Sequence, residues 1–213
     1  MREGRSGLSR PLLDGVDVSR ETFTALEQYR DLLLKWTRRI NLISRSTESA
    51  IWQRHIIDSA QLFPLIPPGA RIWADLGSGA GFPGLVLAVL AREHAPDARI
   101  HLIESDQRKS VFLMTAAREL GLSVTVHAQR IEAMSAFPAD LVTARALASV
   151  EDLLGLASPF CHAGTRLLFL KGARLESELT AARRTWHIVS AQSPSLTDPD
   201  GRILMIRQFR KTE

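Results

Sequence analysis

The stretch WADLGSGAGFPGLVLAVL, residues 73–90, sets the architecture of this 213-residue chain. Asp75 stands two residues before the first of four glycines, and an apolar run follows Pro83. Glycine lets the backbone adopt positive φ and lets a ligand approach the main chain, while proline suits the first turn of a helix. The stretch therefore predicts a strand, a tight glycine turn and a helix whose first amides can receive a carboxylate or phosphate.

The rest of the C-terminal part continues this alternation. Five short apolar runs alternate with helical segments that start near Pro83, Asp106, Ser149 and Arg174; the runs are RIWADLG, RIHLIES, SVTVHA, DLVTARA and RLLFLKG. This rhythm predicts a doubly wound α/β fold with a mostly parallel sheet. Two further runs, WHIVSAQSPS and RILMIRQFR, are joined by LTDPDG and predict a hairpin. We expect seven strands, with an antiparallel strand ending the sheet.

The N-terminal third has a helical pattern instead. Apolar residues recur at helical spacing after Phe23, and Ser19 or Asp17 would cap that helix; they are Leu26, Tyr29, Leu33, Trp36 and Ile40. A second helix is predicted from Ala50 to Leu62. At this spacing Trp36 and Trp52 favour core packing over stacking on a base. The expected organisation is a flexible arm (1–15), a helical extension (16–68) and an α/β domain (69–213).

Composition narrows the class of protein. The hydrophobic fraction of 45% suffices for one sizeable core, and the net charge of +4 permits a polyanionic partner. A single cysteine excludes internal disulfides and cysteine-rich metal sites. No signal-peptide core or long apolar segment is visible, so we expect a soluble, cytoplasmic protein without a membrane partner. No metal site is expected.

The glycine spacing helps to choose the ligand. A dinucleotide fingerprint needs G-x-G-x-x-G, but Phe82 stands at its sixth position, and the G-K-[ST] of a phosphate-binding Walker loop is missing. Glu104 closes the second strand, where a carboxylate can accept hydrogen bonds from both hydroxyls of a ribose; its alternative role is to partner the next helix. Asp106 fits a helix cap first and an adenosine contact second. Ile131 and Glu132 follow the third strand and would lie beside an adenine, although periodicity alone favours Ile131 as core.

Together these segments describe an S-adenosylmethionine-dependent methyltransferase of the Rossmann-like type. With KWTRRINLIS, RHIIDSAQL, VTARALASVEDLL and LFLKG in order, the chain resembles the bacterial small-subunit rRNA guanine-N7 methyltransferases. That resemblance implies S-adenosylmethionine as cofactor and N7 of a guanine in the 530 loop of 16S rRNA as target. It also implies the cofactor-binding positions, namely Asp75, Gly77, Gly79, Phe82, Glu104, Ile131, Glu132 and Arg145. The partner would be 16S rRNA, the small subunit or its assembly intermediate, not DNA, with a monomer as the default.

The end of the fourth strand provides an independent test. Methyltransferases acting on exocyclic amines commonly carry an Asn/Asp-Pro-Pro-aromatic tetrad there, whereas this chain reads TARALAS. Methylation of pyrimidine carbon needs a cysteine nucleophile, and Cys161 is expected to be a small buried residue. Guanine N7 already carries a lone pair, so alignment and exclusion of water suffice. We predict no general acid or base.

Arg145 and Lys171 are the candidate residues for positioning the substrate. Arg145 leaves a buried strand at the ligand edge, so it needs an anionic partner: the methionyl carboxylate, a neighbouring acid or an RNA phosphate. Lys171 would touch phosphate or guanine O6, or remain a solvated loop lysine. On the second helix, i,i+4 spacing predicts Arg54–Asp58 and His55–Ser59 pairs.

RNA binding rests on scattered basic residues. Those near the extension, in the arm and at the C-terminus would form one phosphate-binding surface around the cleft; they are Arg38, Arg39, Arg45, Arg54, Arg2, Arg5, Arg10, Arg207, Arg210 and Lys211. A merely solvated surface is the alternative. Other functions remain open: a methyltransferase for a small molecule or protein, a nicotinamide-dependent oxidoreductase, and a noncatalytic RNA-binding or assembly protein.

Overall fold

Seven strands form one sheet in the computed structural model, which describes residues 16–212; the arm predicted over residues 1–15 lies outside them. The strands are β1 Ile72–Leu76, β2 Arg99–Ile103, β3 Val124–His127, β4 Ala139–Arg145, β5 Cys161–Lys171, β6 Trp186–Pro194 and β7 Arg202–Lys211. Their order is β3-β2-β1-β4-β5-β7-β6. β1 to β5 are parallel, and β7 is antiparallel to both of its neighbours. The predicted doubly wound α/β fold is confirmed.

Helices cover both faces of this sheet. They are α1 Arg20–Ile40, α2 Asp58–Ala60, α3 Gly84–His94, α4 Gln107–Glu119, α5 Val150–Ala157 and α6 Leu175–Ala182. The four helix starts predicted in the α/β part coincide with the residues directly before α3, α4, α5 and α6. The predicted role of Asp106 as a helix cap is confirmed, because its side chain accepts hydrogen bonds from the amides of Arg108 and Lys109. Within residues 16–212, no helix has the length and apolar character needed to cross a membrane.

The N-terminal extension shares a core with the sheet. Leu26, Tyr29 and Leu33 of α1 are completely buried, in the same apolar cluster as α3 and α4. Trp36 packs on Phe112, so its predicted place in the core is confirmed. Each buried leucine of this kind stabilises the fold by roughly 1.5–3 kcal/mol. On the other sheet face, α5 and α6 cover a second apolar cluster.

The second predicted helix is irregular. Residues Arg45–Ala50 form a 3-10 helix, Trp52–Ile57 form a π-helical segment, and α2 completes the stretch. A π-helix closes i→i+5 hydrogen bonds instead of i→i+4, which rotates the following side chains relative to an α-helix. The helical character over Ala50 to Leu62 was therefore predictable, but the faces of its side chains were not.

The C-terminal hairpin forms as predicted, but the antiparallel strand does not end the sheet. β7 lies between β5 and β6, and β6 is the edge strand. After β5, the crossover through α6 leads to β6, which leaves room for one strand between β5 and β6. The hairpin then places β7 in this position. β7 consequently begins at the carboxyl edge of the parallel strands, where Arg202 pairs with Lys171, and runs to their amino edge.

Candidate active site

The candidate site lies at the carboxyl edge, where β1 is flanked by β2 on one side and β4 on the other. Doubly wound folds bind ligands at this point because the loops leave in opposite directions and open a crevice. The turn after β1 holds Gly77, Gly79 and Gly81 at φ values of 65°, 56° and 94°. The predicted positive φ of these glycines is confirmed, and at these three positions the turn has no Cβ atom.

Gly84, the fourth glycine of the stretch, has a packing role that the sequence pattern did not reveal. A Cβ on Gly84 would lie 2.5 Å from Oδ2 of Asp75 and would also overlap Leu102. Its amide donates a hydrogen bond to that same Oδ2 at 3.2 Å. The first turn of α3 therefore rests directly on β1, a contact that no larger residue permits.

Asp75 is buried beneath the glycine turn. Its Oδ1 accepts a 2.7 Å hydrogen bond from the hydroxyl of Thr143, and Oδ2 accepts from Gly84. Burial raises the pKa of Asp75 to about 6, although these hydrogen bonds act in the opposite direction. Asp75 thus ties β1 to β4 and to α3, and a direct contact with the cofactor stays a prediction.

Tyr29 of α1 contacts the same glycine turn from the protein core. Its hydroxyl donates to the carbonyl oxygen of Ala80, and its ring packs against Phe82 with centroids 5.4 Å apart. Helical spacing assigned Tyr29 to the core, which is correct, but did not reveal this polar contact. The signal was available, since a buried tyrosine hydroxyl needs a hydrogen-bond partner and this is the chain's single tyrosine.

Glu104 connects the end of β2 to the glycine turn. One carboxylate oxygen accepts a 2.8 Å hydrogen bond from the amide of Gly79, and the other accepts from the amide of Asp106 at 2.8 Å. The residue is 7% exposed. A carboxylate offers about four acceptor positions, so positions for the two hydroxyls of a ribose remain. Both predicted roles, partner of the next helix and candidate ribose acceptor, fit this geometry.

The loop after β3 supplies the next wall. Ile131 and Glu132 lie in a 3-10 turn, Ile131–Ala133. Ile131 is half-buried and packs against the cluster under α5, while Glu132 is exposed. Because β3 is adjacent to β2 and parallel to it, this turn follows the same sheet edge as Glu104. An apolar side chain and backbone groups there suit the face and edge of a base.

Arg145 ends β4 and contacts the extension. Its Nη2 donates to Nδ1 of His55 at 2.9 Å, and Nη1 lies 3.3 Å from Oδ2 of Asp58. The guanidinium carbon is 4.8 Å from the ring centre of Phe82. The predicted pairing with a neighbouring acid is confirmed, and contact with the methionyl carboxylate or an RNA phosphate stays a prediction. The next residue, Ala146, has a φ of 50°, unusual for a residue with a side chain.

His55 is fixed as a neutral acceptor. Burial, followed by the charges of Arg145 and Arg54, lowers the pKa of His55 to about 4. A guanidinium only donates hydrogen bonds, so Nδ1 must accept and Nε2 carries the proton. Nε2 then donates to the hydroxyl of Thr47 at 3.0 Å. With both nitrogens engaged, His55 orients Arg145 and is poorly placed to move a proton.

The predicted i,i+4 pairs on this segment are wrong. Arg54 pairs with Asp198 at 3.0 Å, and Asp58 accepts from Thr197 at 2.7 Å in addition to Arg145. The hydroxyl of Ser59 donates to the backbone carbonyl of His55, not to its ring. The π-helical turn causes this difference, because it directs Arg54 and Asp58 toward β4 and the β6–β7 loop.

Lys171 is a buried partner of α6. Its Nζ lies 2.6 Å from Glu178 and donates to the carbonyl of Ala148 at 2.8 Å. The side chain is 8% exposed, so the alternative of a solvated loop lysine is wrong. Lys171 and Arg145 both line a cleft of about 490 Å³ between the β4–α5 loop and the β6–β7 loop. Contact of Lys171 with the substrate stays a prediction.

Two other groups lie away from this edge. Cys161 begins β5 at the amino edge, and burial raises the pKa of its thiol to about 12, which argues against a nucleophile. Arg207, Arg210 and Lys211 end β7 at the same amino edge. The expectation that these three join one surface around the cleft is wrong, because β7 runs antiparallel and carries them away. The arm's arginines, Arg2, Arg5 and Arg10, lie outside the described residues.

Sequence comparisons identify a family and several relatives of this chain. The family GidB, described as rRNA small subunit methyltransferase G, matches residues 22–204. A ribosomal RNA small subunit methyltransferase G of Cereibacter sphaeroides is 52% identical over 194 residues, covering 91% of this chain and 93% of the relative. One of Paramagnetospirillum magneticum is 53% identical over 200 residues, covering 94% and 95%.

Solved structures support the fold. An O-methyltransferase from Bacillus cereus, in complex with SAH, superposes with a TM-score of 0.57 at 13% identity and covers 85% of this chain and 91% of that one. A ribosomal protein L11 methylase from Lactobacillus delbrueckii subsp. bulgaricus gives 0.55 at 14% identity, covering 72% and 77%. Similarity at this level concerns the architecture alone.

Proposed function

This chain belongs to the GidB family of rRNA small subunit methyltransferases G, and from that premise we propose that it methylates N7 of a guanine in 16S rRNA, in the 530 loop. The methyl donor would be S-adenosylmethionine. The observation that carries the proposal is the Glu104 carboxylate, held by the amide of Gly79 at the open end of β2. It joins a ribose acceptor and a glycine turn in one rigid unit.

The residues at this edge fit the cofactor. Glu104 would hold the ribose hydroxyls, Ile131 and Glu132 the adenine, and the turn containing Gly77 and Gly79 the methionyl part. Phe82 and Arg145 border the same turn, and the guanidinium suits a carboxylate. S-adenosylmethionine supplies a methyl group on a positively charged sulfur. Every other contribution is binding and orientation by the protein.

Guanine N7 matches what the chain provides. The lone pair of N7 needs no prior deprotonation, and His55, Arg145 and Lys171 are each held in hydrogen bonds that suit orientation better than proton transfer. Arg145 and Lys171 are donors, able to hold guanine O6 or a phosphate at the cleft. Fixing the purine flat and excluding water is then the main contribution to the rate.

The finer features belong to the same proposal. We propose that the protein acts as a monomer in the cytoplasm, on the small subunit, its assembly intermediate or naked 16S rRNA, and without DNA or membrane partners. We also propose that the chain is divided into an arm (1–15), a helical extension (16–68) and a cofactor-binding domain (69–213). A methyltransferase for a small molecule or protein is the alternative, and it predicts turnover without RNA.

Methyl transfer tests the proposal. Labelled S-adenosylmethionine would be offered with unmethylated small subunits and, separately, with their naked rRNA, and the product mapped for 7-methylguanosine. We expect label at N7 of one guanine in the 530 loop. Label at another atom, or tight cofactor binding without transfer to RNA, would contradict the proposed target.

A further inference from the structure

The amino edge of the sheet carries a second basic surface that the proposed reaction does not use. Two stretches without acidic residues, RRTWH (183–187) and RQFRK (207–211), meet there. They are brought together by the hairpin, in which Trp186 pairs with Lys211 and His187 pairs with Arg210. The basic edge, defined as Arg183, Arg184, Arg207, Arg210 and Lys211, therefore gathers five cations.

A groove opens beside these cations because β7 leaves β5. The two strands pair only from Leu167 with Ile206 to Lys171 with Arg202. Beyond that point the register of β6 against β7 shifts, and Arg207 has no partner on β6. A bulge of this kind bends the strand. The resulting groove has a volume of about 640 Å³ and runs between the first residues of β5 and the last residues of β7.

The five cations of the basic edge are exposed to solvent. Considering residues 16–212, no carboxylate forms an ion pair with any of the five side chains. Two carboxylates of this region have other partners: Asp140 pairs with His162, and Glu151 accepts from the hydroxyl of Thr185. Lys211 lies over the ring of Trp186, at 5.6 Å. The edge thus presents positive charge that no carboxylate of residues 16–212 pairs with.

We propose that the basic edge is a second contact for the RNA substrate, binding phosphates of a segment distant from the guanine that is methylated. This inference rests on the proposed function. Four of the five cations are arginines, whose planar forks match phosphate oxygens. The groove is lined by Arg207, Arg210 and Lys211 and by no carboxylate of residues 16–212, a charge pattern that suits a polyanion.

Distance determines what kind of RNA can reach both sites. β7 has ten residues, and at about 3.3 Å per residue the two edges lie roughly 30 Å apart. At about 3.4 Å per stacked nucleotide, a strand shorter than about nine nucleotides around the target guanine cannot reach both edges. A folded rRNA or a ribosomal particle can, so the basic edge would favour a structured substrate over a fragment.

The test uses the double variant Arg207→Gln/Arg210→Gln. Its matched control is Arg99→Gln/Arg118→Gln, which removes two exposed arginines from the same edge of the molecule on the far side of the sheet. Binding to naked 16S rRNA is measured from 50 to 300 mM salt, and methyl transfer is measured under the same conditions. Each lost phosphate contact lowers the slope of log affinity against log salt by about 0.7–0.9.

We expect the Arg207/Arg210 variant to lose about 1.5 from that slope and to raise KM for 16S rRNA about tenfold, with kcat and cofactor affinity unchanged. The control should retain the wild-type slope and KM. Equal behaviour of the two variants would overturn the inference. A defect with intact subunits but not with naked rRNA would also overturn it, because it would indicate a ribosomal protein as the partner. Absence of transfer by the wild type would instead refute the proposed function.

Discussion

The two edges of the sheet use positive charge in different ways. At the carboxyl edge, Arg145 and Lys171 are buried or half-buried, and each is paired with a carboxylate of the chain. At the amino edge, Arg207 and Arg210 are exposed and, within residues 16–212, have no such partner. The first arrangement fixes a guanidinium or ammonium in one place. The second leaves charge available to a polyanion.

The physical consequences differ accordingly. A buried cation loses hydration and needs its partner, so removal of one member leaves an uncompensated charge. An exposed cation acts through a screened field that decays over about 8–10 Å at physiological salt. Changes at the carboxyl edge should therefore affect catalysis at any salt concentration. Changes at the amino edge should affect encounter with RNA and depend on salt.

The largest expected effect comes from Arg145→Ala. This change removes hydrogen bonds to His55 and Asp58 and the charge over Phe82. Hydrogen bonds to charged groups contribute about 1.5–3 kcal/mol each, so we expect kcat for methyl transfer to fall about 100-fold at every salt concentration.

Arg54→Ala is the control for the Arg145 variant. Arg54 is more exposed and pairs with Asp198 on the same side of the cleft. Because most surface ion pairs contribute little, we expect kcat for methyl transfer to fall less than about threefold. Circular dichroism and thermal unfolding would check that both variants fold. Normal transfer by a folded Arg145→Ala protein would remove Arg145 from the site and would break the distinction between the edges.

Glu104→Gln should weaken cofactor binding more than folding. The amide of glutamine retains one acceptor oxygen but loses the charge, so one backbone contact, to Gly79 or Asp106, is weakened. We expect calorimetry to show S-adenosylmethionine affinity reduced about 30-fold, with about 1 kcal/mol lost from the free energy of unfolding.

Asp106→Ala provides the opposite pattern. Asp106 caps α4, and loss of a cap costs about 0.5–2 kcal/mol of stability without removing a ribose acceptor. We expect near-normal cofactor affinity for this variant. Equal losses of affinity and stability in Glu104→Gln would assign Glu104 to the helix partner role alone.

Gly77→Ala would sharpen the description of the turn. Gly77 and Gly121 have similar φ values, 65° and 62°, but a Cβ on Gly77 would lie 2.6 Å from Leu147, whereas nothing lies within 4 Å at Gly121. Gly121→Ala should lose about 1–2 kcal/mol of stability for the left-handed backbone, and Gly77→Ala should lose more because its Cβ also overlaps Leu147. Only Gly77→Ala should reduce cofactor affinity, by about tenfold, as measured by calorimetry. Equal affinities would exclude the turn from the binding surface.

A pH dependence of stability is also expected from His55. Its pKa is lowered from 6.5 to about 4 in the folded protein, so the unfolded chain binds more protons between these values. Stability should therefore fall as the pH decreases from 6.5 to 4. The buried Asp75 has a raised pKa and acts with the opposite sign, so denaturant unfolding of the wild type is compared with His55→Asn. An identical pH profile of the two proteins would refute a buried, neutral His55.

Sequence reasoning succeeded where a feature depends on strand ends. Glu104 and the glycine turn were predictable, because hydrophobic runs locate the strands and parallel strands bring their ends to one edge. The contact between Arg145 and Asp58 was not predictable, since nothing in the residue spacing reveals that residues 52–57 adopt a π-helix. The partner of Lys171 was also hidden, as Glu178 reaches it only after α6 folds back.

The basic residues at the C-terminus teach the same lesson at the level of topology. The hairpin was predictable from its turn, but whether β6 or β7 pairs with β5 was not. That choice determines which edge receives Arg207, Arg210 and Lys211. The expectation that these three residues join a surface around the cleft therefore placed them at the carboxyl edge, whereas they lie at the amino edge.

The most direct test of the central claim removes the reacting atom from the RNA. Small-subunit rRNA would be prepared with 7-deazaguanosine at the target position of the 530 loop, where a carbon replaces N7, and compared with the unmodified RNA in transfer from labelled S-adenosylmethionine. We predict full binding of the modified RNA with no label incorporated, because the carbon has no lone pair. Incorporation at the wild-type rate would contradict methylation of N7 at this site.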